Sequence, residues 1–169
     1  TGNCSVSGDS RFDRVIEIAE SAARSPPIEK FTAEKKTMVA GSTWPVDEEV
    51  LQKTMQSIDD PSLRLIIAPH EITSDHISQL QKLFPDALLY SQLLQSSSFE
   101  QTSTIDATGA EQRSNTLIID NIGMLSRLYK YAHITYIGGG FGKGIHNTLE
   151  AAVYGKPVLF GPVHHKFNE

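Results

Sequence analysis

Five glycines crowd into one short stretch of this chain, at positions 138, 139, 140, 142 and 144. An apolar, β-branched run precedes them, and helical spacing begins at Asn147, so the segment is typical of a strand, a tight loop and a helix start. Glycines let the backbone approach a ligand closely, and the first turn of a helix presents unpaired N–H groups that favour an anion. The stretch therefore predicts a phosphate or nucleotide site.

Asn147 and Glu150 have two interpretations. Their spacing is that of a capping box, in which the two side chains accept from backbone N–H groups at the helix start, a contribution of about 1 kcal/mol. Alternatively, Glu150 points into a crevice and accepts hydrogen bonds from the two ribose hydroxyls of a nucleotide, because a carboxylate has two oxygens and no donor. The sequence leaves both interpretations open.

Two common nucleotide motifs do not fit the glycine stretch. The dinucleotide fingerprint belongs to the first strand-helix turn of a sheet and needs an acid about twenty residues later, whereas this loop comes late in the chain and has no such acid after it. The phosphate loop of kinases and ATPases needs Ser or Thr after its lysine, and Lys143 is followed by glycine.

Composition limits the class of protein. The chain has 169 residues, 39% of them apolar, and a net charge of -5, which suits one globular domain and argues against nucleic acid as a partner. The single Cys4 excludes an internal disulfide and a cysteine-built metal site. No run of about 18 apolar residues is present, so no membrane span is expected, and a reducing, cytoplasmic setting is the default.

Neither of two pairs of metal-ligating residue types predicts a metal site. Asp59 and Asp60 precede a proline between a helix and a strand, which is typical of a solvated turn. His164 and His165 have no further ligand nearby in the sequence and are expected on a loop at the crevice rim. We expect no metal and no cofactor.

The elements that must position these residues alternate along the chain. After a loose lead-in at 1–9, the periodicity predicts helices at 11–24, 47–58, 74–84, 124–131 and 147–154, and strands at 37–41, 63–68, 87–90, 116–119, 133–137 and 157–160. Ser25-Pro-Pro is expected to stop the first helix, and the polar residues 91–114 to form a surface excursion with a short helix. The alternation predicts an α/β fold, a Rossmann-like parallel sheet with helices on both faces.

Ligands of such sheets bind beyond the carboxyl ends of the strands, where the strand order reverses. Four loops follow predicted strands and qualify by position: 41–45, 69–71, 120–123 and 138–146. We expect them to line one crevice together.

The same four loops carry a family resemblance. Gly-Ser-Thr at 41–43, Ala-Pro-His-Glu at 68–71, Asp-Asn-Ile-Gly-Met-Leu at 120–125, Gly-Gly-Gly at 138–140, His-Asn-Thr-Leu-Glu-Ala-Ala at 146–152, and Gly-Lys-Pro-Val at 155–158 resemble the carboxy-terminal half of bacterial 3-deoxy-D-manno-octulosonic acid (Kdo) transferases. Residues 8–13 also resemble the segment that joins the two halves of that family. The resemblance covers nearly the whole chain.

The resemblance implies the C-terminal half of a GT-B type glycosyltransferase that moves Kdo from CMP-Kdo to a lipid A precursor in lipopolysaccharide biosynthesis. It implies residues 1–36 as an inter-domain linker with a first helix, and residues 37–169 as the nucleotide-sugar-binding domain. The chain is expected to be a piece of a protein attached to the cytoplasmic face of the bacterial inner membrane. Its general base is expected in a missing N-terminal acceptor-binding domain, so this piece alone is expected to be inactive.

The resemblance also implies which residues contact the donor. They are Ser42, Thr43, Pro69, His70, Gly123, Met124, Leu125, Asn147, Thr148, Leu149 and Glu150, with the glycine-loop amides, including Gly139 and Gly140, near the phosphate. Two positions depart from the family pattern, because Met124 stands where many relatives have Glu and Trp44 where relatives often have His. A backbone contact at Met124 survives that change, whereas a carboxylate contact does not.

Two other functions stay open at this stage. The chain is alternatively a non-catalytic α/β domain that binds a nucleotide or a protein partner, or the donor domain of a GT-B transferase that uses a UDP-sugar. Nucleotide preference distinguishes the three possibilities.

Overall fold

A computed structural model describes residues 10–58, 60–99 and 114–165. Its elements are α1 Ser10–Glu20, α2 Pro26–Thr32, β1 Lys36–Thr43, α3 Pro45–Ile58, β2 Leu63–Pro69, α4 Ser74–Leu83, β3 Leu88–Leu89, α5 Tyr90–Phe99, β4 Thr116–Ile118, α6 Leu125–Leu128, a 3-10 turn at Tyr129–Tyr131, β5 Ile134–Ile137, α7 Leu149–Ala152 and β6 Val158–Phe160.

The described strands form one parallel sheet of six, in the order β3-β4-β2-β1-β5-β6. Every neighbouring pair is parallel. The chain moves from β1 to one side of the sheet through β2 to β4, and then crosses to the other side of β1 with β5 and β6. The strand order therefore reverses between β1 and β5, which is where such sheets bind ligands.

Successive side chains of the central strands enter two separate cores. Val39 of β1 and Ile66 of β2 pack with α2, the 3-10 turn and α7 on one face. Ala40 and Ile67, the next residues along, pack with α3 and α4 on the other face. A strand that is buried on both faces reads as a continuous apolar run, so the predicted sheet with helices on both faces is confirmed.

Helix α2 is an element that the sequence prediction missed. The pair Pro26-Pro27 was expected only to stop the preceding helix, but these prolines lie at the first positions of a new one. Proline suits that place because the first N–H groups of a helix lack an internal acceptor and the fixed φ of proline matches the helix. Ile28 then enters the core fully buried.

Several predicted boundaries need correction. Helix α1 ends at Glu20 rather than at residue 24, and α7 spans four residues rather than eight, although Gly155 after it has the expected positive φ of 63°. The short helix expected after residue 90 is α5, whose start is capped by Asp120, since that carboxylate accepts from the backbone N–H and the hydroxyl of Ser91. The predictions for residues 1–9, 59 and 100–113 lie outside the described residues.

The backbones of β1 and β5 approach each other closely at their carboxyl ends. Gly138 donates its N–H to the carbonyl of Gly41, and a Cβ built on Gly138 would lie 2.2 Å from the carbonyl oxygen of Ser42. Ser42 itself has a left-handed φ of 52° where the β1–β2 register shifts. This close approach requires glycine at position 138, because any side chain there collides with backbone that cannot rotate away.

Gly138→Ala is expected to lower the free energy of unfolding by about 1–3 kcal/mol, because the ends of β1 and β5 must separate to accept the methyl group. Gly142→Ala is the matched control in the same loop, since its Cβ meets nothing closer than 4.0 Å. Urea unfolding of both variants measures the difference. Equal stability of the two variants would show that the strand ends are not held as described.

Candidate functional site

Three strand ends line one cleft of about 490 Å³. Its walls come from the ends of β1, β2 and β4 and the loops after them: Ser42, Ala68, Pro69, His70, Glu71, Ile72, Thr73, Ile119, Asn121, Ile122, Gly123, Met124 and Leu125. The fourth loop reaches the cleft through His146, whose ring stacks on that of His70 with centroids 4.4 Å apart. The structure thus brings together the four loops that the sequence singled out.

A buried carboxylate, Asp47, fastens the glycine loop to its neighbours. Its Oδ2 accepts from the backbone N–H groups of Trp44 and Gly139, each at 2.9 Å, and its Oδ1 accepts from the hydroxyl of Tyr136 at 2.6 Å. Asp47 is 1% exposed. Burial and the hydrogen bond to this carboxylate both raise the pKa of Tyr136, which therefore keeps its proton and donates. One side chain on the first turn of α3 thus holds the β1 end, β5 and the glycine loop.

The next residue, Glu48, fastens the second loop. Its Oε1 accepts from the Thr43 hydroxyl at 2.9 Å, and its Oε2 lies 2.9 Å from Nε2 of His76. Nδ1 of His76 in turn donates to the backbone carbonyl of Glu71 at 2.9 Å. Because a carbonyl oxygen can only accept, Nδ1 is the donor of that hydrogen bond. The chain of contacts ties the ends of β1 and β2 to helices α3 and α4.

An aromatic cluster, formed by Trp44, His70 and His146, stands at the centre of the four loops. The rings of Trp44 and His70 stack with centroids 4.5 Å apart, and Nε1 of Trp44 donates to Nε2 of His146 at 3.3 Å. Burial is the main cause that lowers the pKa of His146, nearby His70 adds to it, and Asp47 opposes it. His146 is therefore neutral at pH 7, with its proton on Nδ1.

The third loop carries the segment around Met124. Gly123 adopts a positive φ of 87°, and Met124 stands at the N-terminal boundary of α6. The Asn121 amide donates to the sulfur of Met124 at 3.1 Å. The cleft wall at this position is thus a thioether and an amide held together. Leu125 packs against the core from this wall.

The capping-box interpretation of Asn147 and Glu150 is wrong in its pairing. The Asn147 Oδ1 accepts from the Leu149 N–H at 3.0 Å, two residues on, and the Asn147 amide donates to Glu150 Oε1 at 3.2 Å. Thr148, rather than Asn147, is the N-cap, and its hydroxyl makes no capping bond. The Glu150 carboxylate thus accepts from the Asn147 side chain and not from the Asn147 backbone N–H, which is the bond that a capping box requires.

Glu150 is a half-buried carboxylate. Burial raises its pKa above the ordinary value, and the hydrogen bond from Asn147 only partly offsets this. The carboxylate in turn adds to the effect of burial in raising the pKa of Tyr129, which lies beneath Gly41 at the end of β1. A partly desolvated carboxylate with one neutral hydrogen-bond donor retains accepting capacity for a ligand's hydroxyl groups.

The glycine-loop amides are largely engaged within the protein. Gly138 donates to Gly41, Gly139 to Asp47, and both Gly142 and Gly144 to the carbonyl of Gly139. Gly140 lies against Gly161, at 2.5 Å from a built Cβ to the Gly161 nitrogen, and its carbonyl accepts from Val163. An internal carboxylate thus occupies the place at Gly139 that the sequence assigned to a ligand's phosphate.

The predicted site residues divide into those that line the cleft and those that do not. The residues outside its lining are Thr43, Gly139, Gly140, Asn147, Thr148, Leu149 and Glu150. Pro69, His70, Ser42, Gly123, Met124 and Leu125 line the cleft. The Thr43 hydroxyl, the Gly139 amide and the Leu149 amide are already bonded inside the protein. The buried Thr148 hydroxyl has no partner among the described residues.

Sequence reasoning missed four residues that build the site: Asp47, Glu48, His76 and His146. The two acids looked like ordinary charges at the positive end of a helix, where exposed carboxylates are common. Only their position three and four residues after Trp44 hinted at contacts with the loop. His146 is the first residue of the motif at 146–152, but the motif did not predict it as a site residue.

The possible metal ligands stay apart. In the described ranges, no three His, Cys, Asp or Glu side chains are grouped as a metal site requires. Asp60 accepts from the Ser62 N–H in a turn, and His164 and His165 lie exposed with their rings tilted against each other. None of the helices within 10–58, 60–99 and 114–165 has the length and apolar character of a membrane span.

Curated proteins similar to this chain include two Kdo transferases. The 3-deoxy-D-manno-octulosonic acid transferase of Chlamydia trachomatis serovar A is 27% identical over 137 residues, and that of Aquifex aeolicus is 28% identical over 135 residues. The matches cover 79% and 78% of this chain, but 28% and 33% of the relatives. The resemblance drawn from the motifs is confirmed, and the chain spans a third or less of the length of these relatives.

A bifunctional glycosyltransferase/methyltransferase of Fusobacterium nucleatum is 30% identical over 129 residues, which are 76% of this chain and 18% of that protein. No protein-family model matches the chain.

Solved structures confirm the fold class. The C-terminal CMP-Kdo binding domain of WaaA from Acinetobacter baumannii superposes with a TM-score of 0.62 at 16% identity, covering 92% of this chain and 74% of that one. A UDP-forming α,α-trehalose-phosphate synthase from Burkholderia xenovorans gives a TM-score of 0.52 at 15% identity over 90% of this chain and 36% of that one. At such identities the likeness concerns the fold, a Rossmann-like domain of the GT-B type.

Asp47→Ala is expected to destabilise the chain by about 3 kcal/mol, because it leaves three buried donors without an acceptor. It should also change the fluorescence of Trp44, the single tryptophan, because the backbone N–H of Trp44 donates to Asp47. Glu49→Ala is the control, an exposed carboxylate on the same helical turn, and should stay within about 0.5 kcal/mol. Urea unfolding followed by tryptophan emission measures both, and similar losses in the two variants would contradict the role of Asp47.

Glu150→Gln is expected to remove a penalty on folding at neutral pH. The folded-state pKa of Glu150 lies above the ordinary 4.5, so the folded chain binds the Glu150 proton more tightly than the unfolded chain does. The stability that this proton contributes is therefore present at low pH and is lost as the pH rises through the raised pKa. The wild type should therefore lose more stability than the variant between pH 4.5 and 7. Urea unfolding at several pH values tests this, with Glu49→Gln as the control; parallel profiles for wild type and Glu150→Gln would refute it.

Proposed function

We propose that this domain binds the nucleotide-sugar donor of a glycosyltransferase, that the donor is CMP-Kdo, and that the whole protein transfers Kdo to a lipid A precursor. The observation that carries the proposal is the cleft at the ends of β1, β2 and β4, because it gathers motif segments from residues 42 to 125 and His146 stacks on its lining residue His70. The names of the similar curated proteins support Kdo as the sugar.

The cleft is suited to a nucleoside. Ile72, Ile122 and Met124 give apolar contact area for a flat base, and Ile122 is 89% exposed, so its side chain is available to cover a ligand. The polar side chains of the lining can fix the orientation of a ligand through a small number of hydrogen bonds; they are Ser42, His70, Glu71, Thr73 and Asn121.

Glu150 is the residue that we assign to the ribose. A carboxylate accepts from two neighbouring hydroxyls at once, and Asn147 holds one of its oxygens in place. Burial removes part of the water around this carboxylate and thereby raises its pKa. Two ribose hydroxyls would supply hydrogen-bond donors that the protein itself does not, so ligand binding would stabilise the charged form of Glu150.

The phosphate of the donor is assigned to the region of Ser42 and His70 rather than to the glycine loop. Both residues line the cleft, and His70 has an exposed ring edge beside Trp44 and His146. The Gly139 amide already donates to Asp47, so its N–H is not available to a phosphate. Departure of CMP leaves charge on the phosphate, and hydrogen-bond donors aimed at it stabilise that charge.

The acceptor hydroxyl requires a general base, and we propose that this base lies outside residues 1–169, which the partial coverage of the longer relatives supports. This domain is therefore expected to bind donor and to transfer nothing alone. The whole protein is expected at the cytoplasmic face of the inner membrane, where its lipid A precursor lies, and nucleic acid is not an expected partner.

Calorimetric titration of the chain with CMP, UMP, UDP, NAD and ATP tests this function. CMP is expected to bind most tightly, and Glu150→Gln should weaken CMP at least tenfold through loss of the charge-assisted hydrogen bonds, whereas Glu49→Gln should not change it. Circular dichroism shows that the variants remain folded. Preference for UDP would instead support a UDP-sugar transferase, and no nucleotide binding would support a non-catalytic domain.

A further inference from the structure

A second, smaller pocket of about 260 Å³ lies beside the cleft, between the first turn of α3 and the glycine loop. We name it the glycine-loop pocket; it is lined by Trp44, Pro45, Val46, Asp47, Gly139, Phe141, Gly142 and Lys143. Trp44 belongs both to this pocket and to the aromatic cluster at the cleft, since its ring stacks on His70. The two cavities therefore meet at one aromatic ring.

The lining of this pocket combines apolar surface with one cation. Phe141 is 45% exposed and Val46 53% exposed, although both are large apolar side chains, and Trp44 forms a further aromatic wall. Lys143 holds its ammonium group 5.6 Å from the centre of the Trp44 ring. Aromatic walls offer a rigid apolar surface to the C–H face of a sugar, and an ammonium offers three donors and a positive charge to a carboxylate.

The acidic residue of the pocket does not oppose an anion there as strongly as its charge suggests. Asp47 is buried and its two oxygens accept three hydrogen bonds, from Trp44, Gly139 and Tyr136. These three hydrogen-bond donors partly offset the negative charge of the Asp47 carboxylate. Lys143, by contrast, is exposed at the mouth, so the positive group is the one that a ligand meets.

We propose that the glycine-loop pocket is the subsite for the sugar of the donor, and that it selects an acidic sugar by placing its carboxylate at Lys143 and its C–H face against Trp44 and Phe141. This assignment rests on the proposed function for the nucleotide part. The nucleoside occupies the cleft, the phosphate lies near His70, and the sugar enters beyond Trp44. Complementary charge and adjacency to the cleft determine the occupant: an acidic monosaccharide joined to a nucleotide.

Trp44 supplies the probe, because it is the single tryptophan of the chain and forms a wall of the pocket. Free Kdo is titrated into the CMP-saturated chain while tryptophan emission is recorded, and the Kdo methyl ester, which lacks the charge, is the matched ligand. Kdo is expected to give a saturable change and to bind about tenfold more tightly than its ester.

Lys143→Gln is expected to weaken Kdo about tenfold, to abolish the advantage of Kdo over its ester, and to leave the affinity for CMP within twofold of the wild type. Lys53→Gln, a change at an exposed lysine of α3 outside the lining of both cavities, is the control and should leave all three ligands unchanged. Calorimetry with each ligand checks the fluorescence result independently.

Failure of this inference is distinct from failure of the proposed function. If CMP binds but Kdo does not, or if Kdo binds Lys143→Gln as tightly as the wild type, the subsite is wrong and nucleotide binding stands. If CMP does not bind, the proposed function fails, and titration of Kdo without CMP decides the pocket: Lys143-dependent binding supports it, and no binding overturns it.

Discussion

Two adjacent buried carboxylates, Asp47 and Glu48, hold the ligand-binding end of this domain together. A parallel sheet aligns the ends of its strands but leaves the loops beyond them without ladder hydrogen bonds, so other groups must satisfy their backbone. Asp47 accepts from backbone N–H groups of the glycine loop and of Trp44, just after β1. Glu48 contacts the side chains of Thr43, at the end of β1, and of His76, on α4. Both carboxylates lie on the first turn of α3, where the helix dipole favours negative charge.

This arrangement decides where a ligand's charge can go. A glycine loop with free amides attracts phosphate, but here the Gly139 amide already meets a carboxylate. The loop is thereby fixed before any ligand arrives, which reduces the ordering cost of binding. In the function that we propose, the charged parts of the ligand lie instead at the aromatic cluster and at Lys143, both of which contact Trp44.

Glu150 shows the opposite solution for a partly buried carboxylate. Asp47 has three donors, whereas Glu150 has one neutral amide, and burial accordingly raises its pKa. A structural carboxylate is expected to be fully hydrogen-bonded, because unsatisfied burial costs stability. A carboxylate left short of donors at the edge of the four loops is typical of a group that a ligand completes, a stability cost that proteins often tolerate at functional sites.

The sequence by itself determined the sequential order of strands and helices, the parallel sheet and the four strand-end loops, because these follow from periodicity within short windows and from the rule that ligands bind at carboxyl strand ends. It misjudged α2, because the pair Pro26-Pro27 reads as a helix stop, whereas these prolines begin a new helix after α1 has already ended at Glu20. Only the tertiary structure decided that Asp47 and Glu48 are buried and that the Gly139 amide is occupied. Asp47 and Gly139 are separated by 92 residues, and no local pattern records which distant donor a carboxylate will meet.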